Sequence, residues 1–328
     1  MPENHPDLFH YTSLQACERI LQSGNLWASH AKHLNDSSEF ELMWGKIRPL
    51  LSQYIQEAIQ ADPDYRRKHR DAIDSSGGIE RVAAQDADTF VHIMRSLIFE
   101  FATPFVACFT THDEDCDRQH GLLSQWRGYG DDGVAIVFDY KKLEDQLRRE
   151  KELFHYLGCA LVTAVYDTDD LDLREQFPSL FATLDREVVP AYLAGLPKDH
   201  QTEKALSNAA IELFRAVGPL KHWGFREEKE QRIIVGVGNP ARFDGVNASL
   251  SARQKLKTIN FRPGRCGSIP YIKLFEDDEH LPISRILVGP SRNQDANAFR
   301  VETILKHMVL QHKIELETSA IPYVSATI

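Results

Sequence analysis

The chain has no run of about 18 consecutive apolar residues, which excludes a membrane-spanning helix read from the sequence. It is short of cysteine pairs. Cys17, Cys108, Cys116, Cys159 and Cys266 are odd in number and scattered, with no Cys-x-x-Cys, which excludes a disulfide framework or a zinc ribbon and fits reduced thiols. His-Glu-x-x-His spacing is missing too, so no metal is expected. No Gly-x-Gly-x-x-Gly or P-loop sequence follows a strand pattern, which removes the usual dinucleotide and nucleoside-triphosphate cradles. "GYGDDG" precedes a strand, where a dinucleotide turn would precede a helix. Excess positive charge is lacking: 38 Lys and Arg against 48 Asp and Glu leave −10, which argues against a broad grip on nucleic acid. "RRKHR" (66–70) reads as a solvated helix face. The opening "MPENHPDLFH" has no basic stretch followed by an apolar core, so a cytoplasmic protein is expected. Repeats and low-complexity tracts are absent.

What is present is an ordinary globular composition, 42% hydrophobic and 26% charged over 328 residues, enough for a full core. Strand patterns recur at 8–12, 104–111, 133–140 and 159–167, and again in "EKEQRIIVGVG", "IPYIKLF", "ISRILVGPS" and "HKIELETSAIPYVS". "SLQACERILQSG" places Leu14, Cys17, Ile20 and Leu21 at helical spacing, with Ser13 as cap and Gly24 as stop. "LNDSSEF" reads as a turn in which Asp36 or Ser37 caps a helix. Residues 141–157 read as an amphipathic helix and "NAFRVETILKHMVL" as another. Long helical stretches fill 41–101, broken at "ADPDYRRKHR" and at a loop "DSSGG", and 168–218. This is an α+β pattern instead of a regular βαβ alternation. The reading is one domain over 8–325, its strands in antiparallel succession, with helical insertions at about 41–101 and 168–218.

Three polar clusters stand beside these strands. His10 and Thr12, two apart, share a strand face, flanked by Tyr11 and Ser13. "LSQWRGYGDDG" supplies Ser124, Trp126, Arg127, Tyr129 and Asp131. Its aromatics suit a planar ring and its Arg an anion, although a Trp filling the core beneath a turn fits equally. In "HWGFREEKEQRIIV" a strand starting at Glu228 puts Glu228, Glu230 and Arg232 on one face. Two carboxylates there repel unless Arg232 or a ligand compensates. A charged strand end is the plain alternative. Cys108 sits mid-strand and reads as a small buried hydrophobe.

The ordered set "HYTS", "LNDSSEF", "ACFTT", "LSQWRGYGDDGVAIVF", "WGFREEKEQRIIV", "IPYIKL", "ILVGPSRN" and "SAIPY" resembles the bacterial domain of unknown function 2971 family from about residue 8 to about 323. A looser resemblance is to the ADP-ribosyltransferase fold, in an early His-x-Thr strand, a middle Ser/Tyr segment and a late Glu strand. That resemblance implies a split antiparallel β-sheet with NAD, consumed as substrate, in the cleft. It implies His10 and Thr12 on ribose, with Tyr11 beside them in the NAD site, and Ser124, Trp126 and Tyr129 around nicotinamide. Arg127 or Arg232 would lie on the pyrophosphate, with Glu230 as the catalytic acid and Glu228 as its partner. The implied activity cleaves the nicotinamide–ribose bond and passes ADP-ribose to a protein, a nucleic acid, a small molecule or water, with no membrane involved. A toxin or anti-phage role follows by analogy alone. The alternative reading is a non-catalytic sensor of a nucleotide or an NAD-derived ligand, or an interaction protein.

Overall fold

The computed structural model describes residues 6–34, 39–130, 132–196, 199–238, 254–264, 267–276, 280–308 and 314–322. The turn residues Asp36 and Ser37, and Asp131 of the second cluster, lie outside the described residues. The architecture is mixed α+β, with an open sheet of ten strands between two helical layers. The strands are β1 (Leu8–Thr12), β2 (Leu26–His30), β3 (Ala102–Thr110), β4 (Val134–Phe138), β5 (Gly158–Thr163), β8 (Glu230–Gly238), β9 (Asn260–Gly264), β10 (Gly267–Leu274), β11 (Ile283–Val288) and β12 (Glu315–Thr318). The short β6 (Val165–Asp167) and β7 (Leu220–His222) form a separate parallel pair.

Local sequence accounts for many of these elements. Val134, Ala135, Ile136, Val137 and Phe138 are all buried, as an unbroken apolar strand in mid-sheet should be. In helix Leu14–Ser23 the Ser13 hydroxyl accepts from the Ala16 N–H at 3.2 Å. Gly24, at φ 65, ends the helix, and its N–H reaches the Ile20 carbonyl at 3.0 Å. Cys17, Ile20 and Leu21 are its buried stripe. They join Leu143 and Leu147 of helix Tyr140–Leu153 and Val301 of helix Gln294–His307 in one layer over Leu8, Ile136 and Ile286.

The opposite layer is made by both helical insertions together. Helices Glu39–Ala61, Ile79–Phe101 and His200–Val217 share one apolar cluster with Val106 of β3 and Ile234 of β8. The Arg174 guanidinium lies 4.4 Å over the Tyr54 ring, and the Tyr65 hydroxyl meets that of Tyr192, tying the insertions to each other. "DSSGG" is tighter than the expected loop. Gly77 and Gly78, at φ 90 and 105, turn one helix directly into the next. The expected loop "HDEDCDRQHG" includes helix Asp115–His120, and "LSQWRG" is itself helix Leu123–Gly128.

The sheet corrects the expectation of antiparallel pairing throughout. β11 and β12 run parallel, so the sheet is mixed. "CALVTAVYD" divides at Ala164 between β5 in the main sheet and β6 in the small one. The sheet also forks. One edge of β3 is paired along its length by β8, which continues to β5. The other edge carries two strands in succession. β1 meets it only at Phe9–Thr110, and β2 only at Ser29–Val106 and His30–Phe105. From β1 one arm continues through β4 and β11 to β12, and from β2 the other continues through β10 to β9.

Close packing holds the first arm in place. A Cβ on Gly133 would stand 2.2 Å from the Thr12 carbonyl oxygen, a backbone atom that can yield only if β1 and β4 separate. Gly133→Ala should therefore lower stability by about 1–3 kcal/mol, the cost of overpacking a filled core, seen as an earlier midpoint in urea unfolding. An unchanged midpoint would mean that β1 is not held this closely.

Candidate functional site

Between the two strands that β3 pairs with on this edge, no strand covers residues 107–109. The backbone still needs a partner there, and His10 supplies it: Nδ1 lies 2.9 Å from the Cys108 carbonyl oxygen. A carbonyl only accepts, so Nδ1 carries the proton. Burial pushes the His10 pKa down, opposed by this hydrogen bond, so the ring is neutral near pH 7 and Nε2 is an acceptor. By strand register Phe9, Thr110 and Glu230 share one face of the sheet, and His10 belongs to the other. The fork lets residues of both faces line one cavity of about 200 Å³. His10, Tyr129, Glu228, Glu230 and Arg232 all line it.

The charged wall of that cavity comes from β7, the turn after it, and β8. Glu230 opens β8 opposite Thr110, and Arg232 lies opposite Cys108. The Arg232 guanidinium grips both Glu230 oxygens, Nε at 2.8 Å and Nη2 at 3.1 Å, and donates through Nη1 to the Gly218 carbonyl at 3.0 Å. The Lys221 ammonium contacts Glu230 as well, and reaches Glu228 at 2.5 Å. Burial pushes the Glu230 carboxyl up, but Arg232 and Lys221 outweigh it and hold the pKa below the usual carboxylate value. Lys221 in turn is held above its ordinary value, because its two carboxylates outweigh its desolvation. The Tyr129 hydroxyl donates to Glu228 at 3.0 Å, and burial together with that carboxylate raises its pKa.

Glu228 reaches the cavity by a different route from the one its spacing suggests. It ends a 3₁₀ helix, Trp223–Glu228, and Lys229 follows at φ 41, so the strand starts at Glu230. A shared strand face is thus not what brings the two acids together. The left-handed Lys229 turns the chain, and Lys221 bridges them.

Other candidates are placed differently. Trp126 is fully buried and lines neither this cavity nor the one beside it, which removes it as a stacking surface. Its ring fills a slot among Gly121, Gly130 and Gly289, where any added Cβ would come within 2.6–2.7 Å, and Nε1 donates to the His120 carbonyl at 3.0 Å. The Ser124 hydroxyl is buried without a hydrogen-bond partner among the described residues, away from both cavities. Arg127 is exposed and lines neither. Arg232 faces the cavity but is spent on Glu230, so it does not offer a free fork to a pyrophosphate. Thr12 lines the adjoining cavity, not the first. Tyr11 borders both, but its hydroxyl accepts from the Leu122 N–H at 3.0 Å and pairs with His112 Nε2 at 2.8 Å.

Lys221, Ser29, Gln125 and Arg262 also border the cavity, although none of them stands out as a site residue in the sequence. Lys221 sits one residue before "HW" in a three-residue strand, with no motif to mark it. The excess of acid in "EEKE", three carboxylates to one lysine, is the available hint, because two facing acids need a buried cation. Arg262 enters from β9, 30 residues beyond Arg232, and nothing in its surroundings announces the contact. Among the described residues no group of three or more His, Cys, Asp or Glu is placed to hold a metal ion.

Residues 125–233 match the model of the family described as protein of unknown function (DUF2971), in keeping with the resemblance its motifs carry. That segment contains Gln125, Tyr129, Lys221, Glu228, Glu230 and Arg232 of the cavity. No curated protein and no solved structure matches the chain.

Two neutral histidines flank this region, and they set a pH response. Burial lowers His10, and pushes His112 down to about 4. Unfolded, both take up a proton near pH 6.5, so between pH 6.5 and about 4 the unfolded state binds more protons and stability falls as pH falls. The slope contributed by His112 is at most about 1.4 kcal/mol per pH unit. His112→Asn should flatten the loss of urea stability between pH 7 and 5; an unaltered slope would show that His112 is not held neutral.

Proposed function

We propose that the chain binds NAD in the fork of its sheet and cleaves the nicotinamide–ribose bond, in the manner of an ADP-ribosyltransferase. The observation that carries this reading is convergence. His10, Tyr129, Glu228 and Glu230, from three distant segments, border one cavity where the sheet divides. Its size, below the roughly 300–1,000 Å³ of whole-ligand sites, suits one ring or one sugar of a larger molecule.

In the proposed reaction the C1′–N bond breaks and nicotinamide leaves with the bonding electron pair as a neutral base. The ribose acquires oxocarbenium character, and an acceptor hydroxyl, amine or water bonds to C1′ and releases its proton. A fixed carboxylate stabilises that cation by a charge interaction of about 4 kcal/mol at 4 Å and an effective dielectric near 20. Glu228 suits this role better than Glu230. Both Glu230 oxygens are gripped by Arg232, whereas Glu228 is the less buried acid and its Oε1 is held only by the neutral Tyr129 hydroxyl among the hydrogen bonds described. A ribose hydroxyl can take the place of that phenol. The neutral His10 offers Nε2 as acceptor to another hydroxyl of the sugar. Glu230 then fixes Lys221 and Arg232, and through Lys221 the position of Glu228.

A second reading is a sensor that holds the same ligand without turnover. The charge balance favours it: Lys221 and Arg232 already neutralise the two carboxylates, which weakens the field on a developing cation.

Nicotinamide release from NAD, with and without cell lysate as a source of acceptor, separates the two readings. Glu228→Gln should lower release about 10²–10³-fold, as loss of one preorganised electrostatic group does, while NAD still raises the melting temperature. Binding with no release by the wild type would establish the sensor. No release and no thermal shift would remove both readings. Glu230→Gln should instead destabilise the fold by about 3–5 kcal/mol, because it leaves Arg232 and Lys221 buried with half their counter-charge.

A further inference from the structure

A second cavity, of about 220 Å³, opens beyond His10, which borders both. Thr12, Arg19, Trp27, Ser29 and Arg262 are among its lining residues, and no Asp or Glu is. Its formal charge is therefore positive, in contrast to the balanced wall beneath Glu228. Two donors here are buried and meet no acceptor among the described residues, Nε of Arg262 and Nε1 of Trp27. Both groups only donate, and the structure otherwise satisfies its buried polar atoms with few exceptions.

These donors are held in place. The Trp27 indole stacks on Tyr271, ring centroids 4.5 Å apart, and β2 is paired to β10 on either side of it. Arg262 Nη2 donates to the Ser29 hydroxyl at 3.0 Å, which leaves that hydroxyl its own proton to give. The Arg262 and Trp27 side chains, the hydroxyls of Thr12 and Ser29 and, at the border, Arg19 line one small space that gathers positive charge and hydrogen-bond donors and no carboxylate. A carboxylate has two oxygens to offer such a set. A phosphate has three or more and a larger charge, and Arg matches it by geometry.

We propose that this second cavity is a phosphate site, and that His10 stands between it and the first cavity so that one ligand, a phosphorylated ribose, spans both. The inference rests on the reading of the first cavity as a ribose site, and it specifies what is attached to that sugar. It also explains why Arg232 is not needed for the phosphate. The source of the phosphoryl group, a dinucleotide or a simpler sugar phosphate, is left to the binding series.

Calorimetric titration with nicotinamide riboside, nicotinamide mononucleotide, ADP-ribose and inorganic pyrophosphate tests it, with Arg262→Met and Trp27→Phe beside the wild type. Each variant is first checked for an unchanged circular dichroism spectrum and melting temperature. The mononucleotide should bind wild type at least tenfold tighter than the riboside; Arg262→Met should abolish that preference, and Arg19→Met, at a residue that borders the second cavity and not the first, should reduce it while leaving riboside affinity within twofold. Trp27→Phe keeps the ring and loses the N–H, and should reduce the preference about threefold. A further tenfold gain for ADP-ribose would identify a diphosphate ligand; equal affinity for the mononucleotide would identify a monophosphate. If neither nicotinamide compound binds but pyrophosphate does, and Arg262→Met weakens it tenfold, the phosphate site stands and the NAD reading falls. A preference unaltered by Arg262→Met, or pyrophosphate and mononucleotide both failing to bind the wild type, overturns the inference.

Discussion

The bidentate contact between Glu230 and Arg232, completed by Lys221, is the interaction on which the site depends. All three side chains are almost wholly buried, so each charge has lost most of its hydration. Such a cluster is costly to assemble and more costly to break, because removing one member strands the others in a medium that cannot solvate them. The Arg232 bond to the Gly218 carbonyl ties the cluster to the end of helix His200–Val217. Lys221 lies in β7, so the small parallel pair is fastened to the start of β8 by charge. The Tyr166 hydroxyl accepts from the Glu230 N–H at 2.9 Å and adds a second fastening from β6. Three elements are thereby fixed around one carboxylate, and Glu228 is carried to the cavity by the turn they enclose.

The fork in the sheet is the second constraint. A continuous sheet keeps His10 and Glu230 apart, one on each face, because alternation along a strand and register across strands leave no other choice. β1 and β2 share one edge of β3 without covering all of it, and the bare stretch becomes a doorway between faces. The His10 bond to the Cys108 carbonyl satisfies a backbone group the fork exposes, and fixes the tautomer of the ring in the same act. A structural requirement and a binding capability are met by one side chain.

The glycine-lined slot around Trp126 shows how an aromatic that suggests a ligand can belong to the core. Gly121, Gly130 and Gly289 leave no room for side chains of their own, and Trp126, Tyr11 and Phe9 form the apolar cluster behind the cavity. Trp126 thus supports Tyr11, at a ring distance of 4.7 Å, and through it the strand that carries His10. Its part in the site is to position the strand.

Much was determined by the sequence by itself. The capped helix from Leu14 to Ser23, the apolar β4, the helical insertions and the mixed α+β class follow from local periodicity and turn chemistry, which act over a few residues. His10, Tyr129 and Glu230 were legible as polar residues misplaced for a plain strand or turn. Only the tertiary structure decided that the sheet forks, that Lys221 bridges the two acids, that Arg232 is occupied and that Arg262 reaches Ser29 across more than 200 residues of chain. Those outcomes depend on strand order and on long-range charge pairing. The pattern of a segment encodes which face it buries; which strand it meets, and which counter-ion awaits it there, are settled by contacts that no local period records.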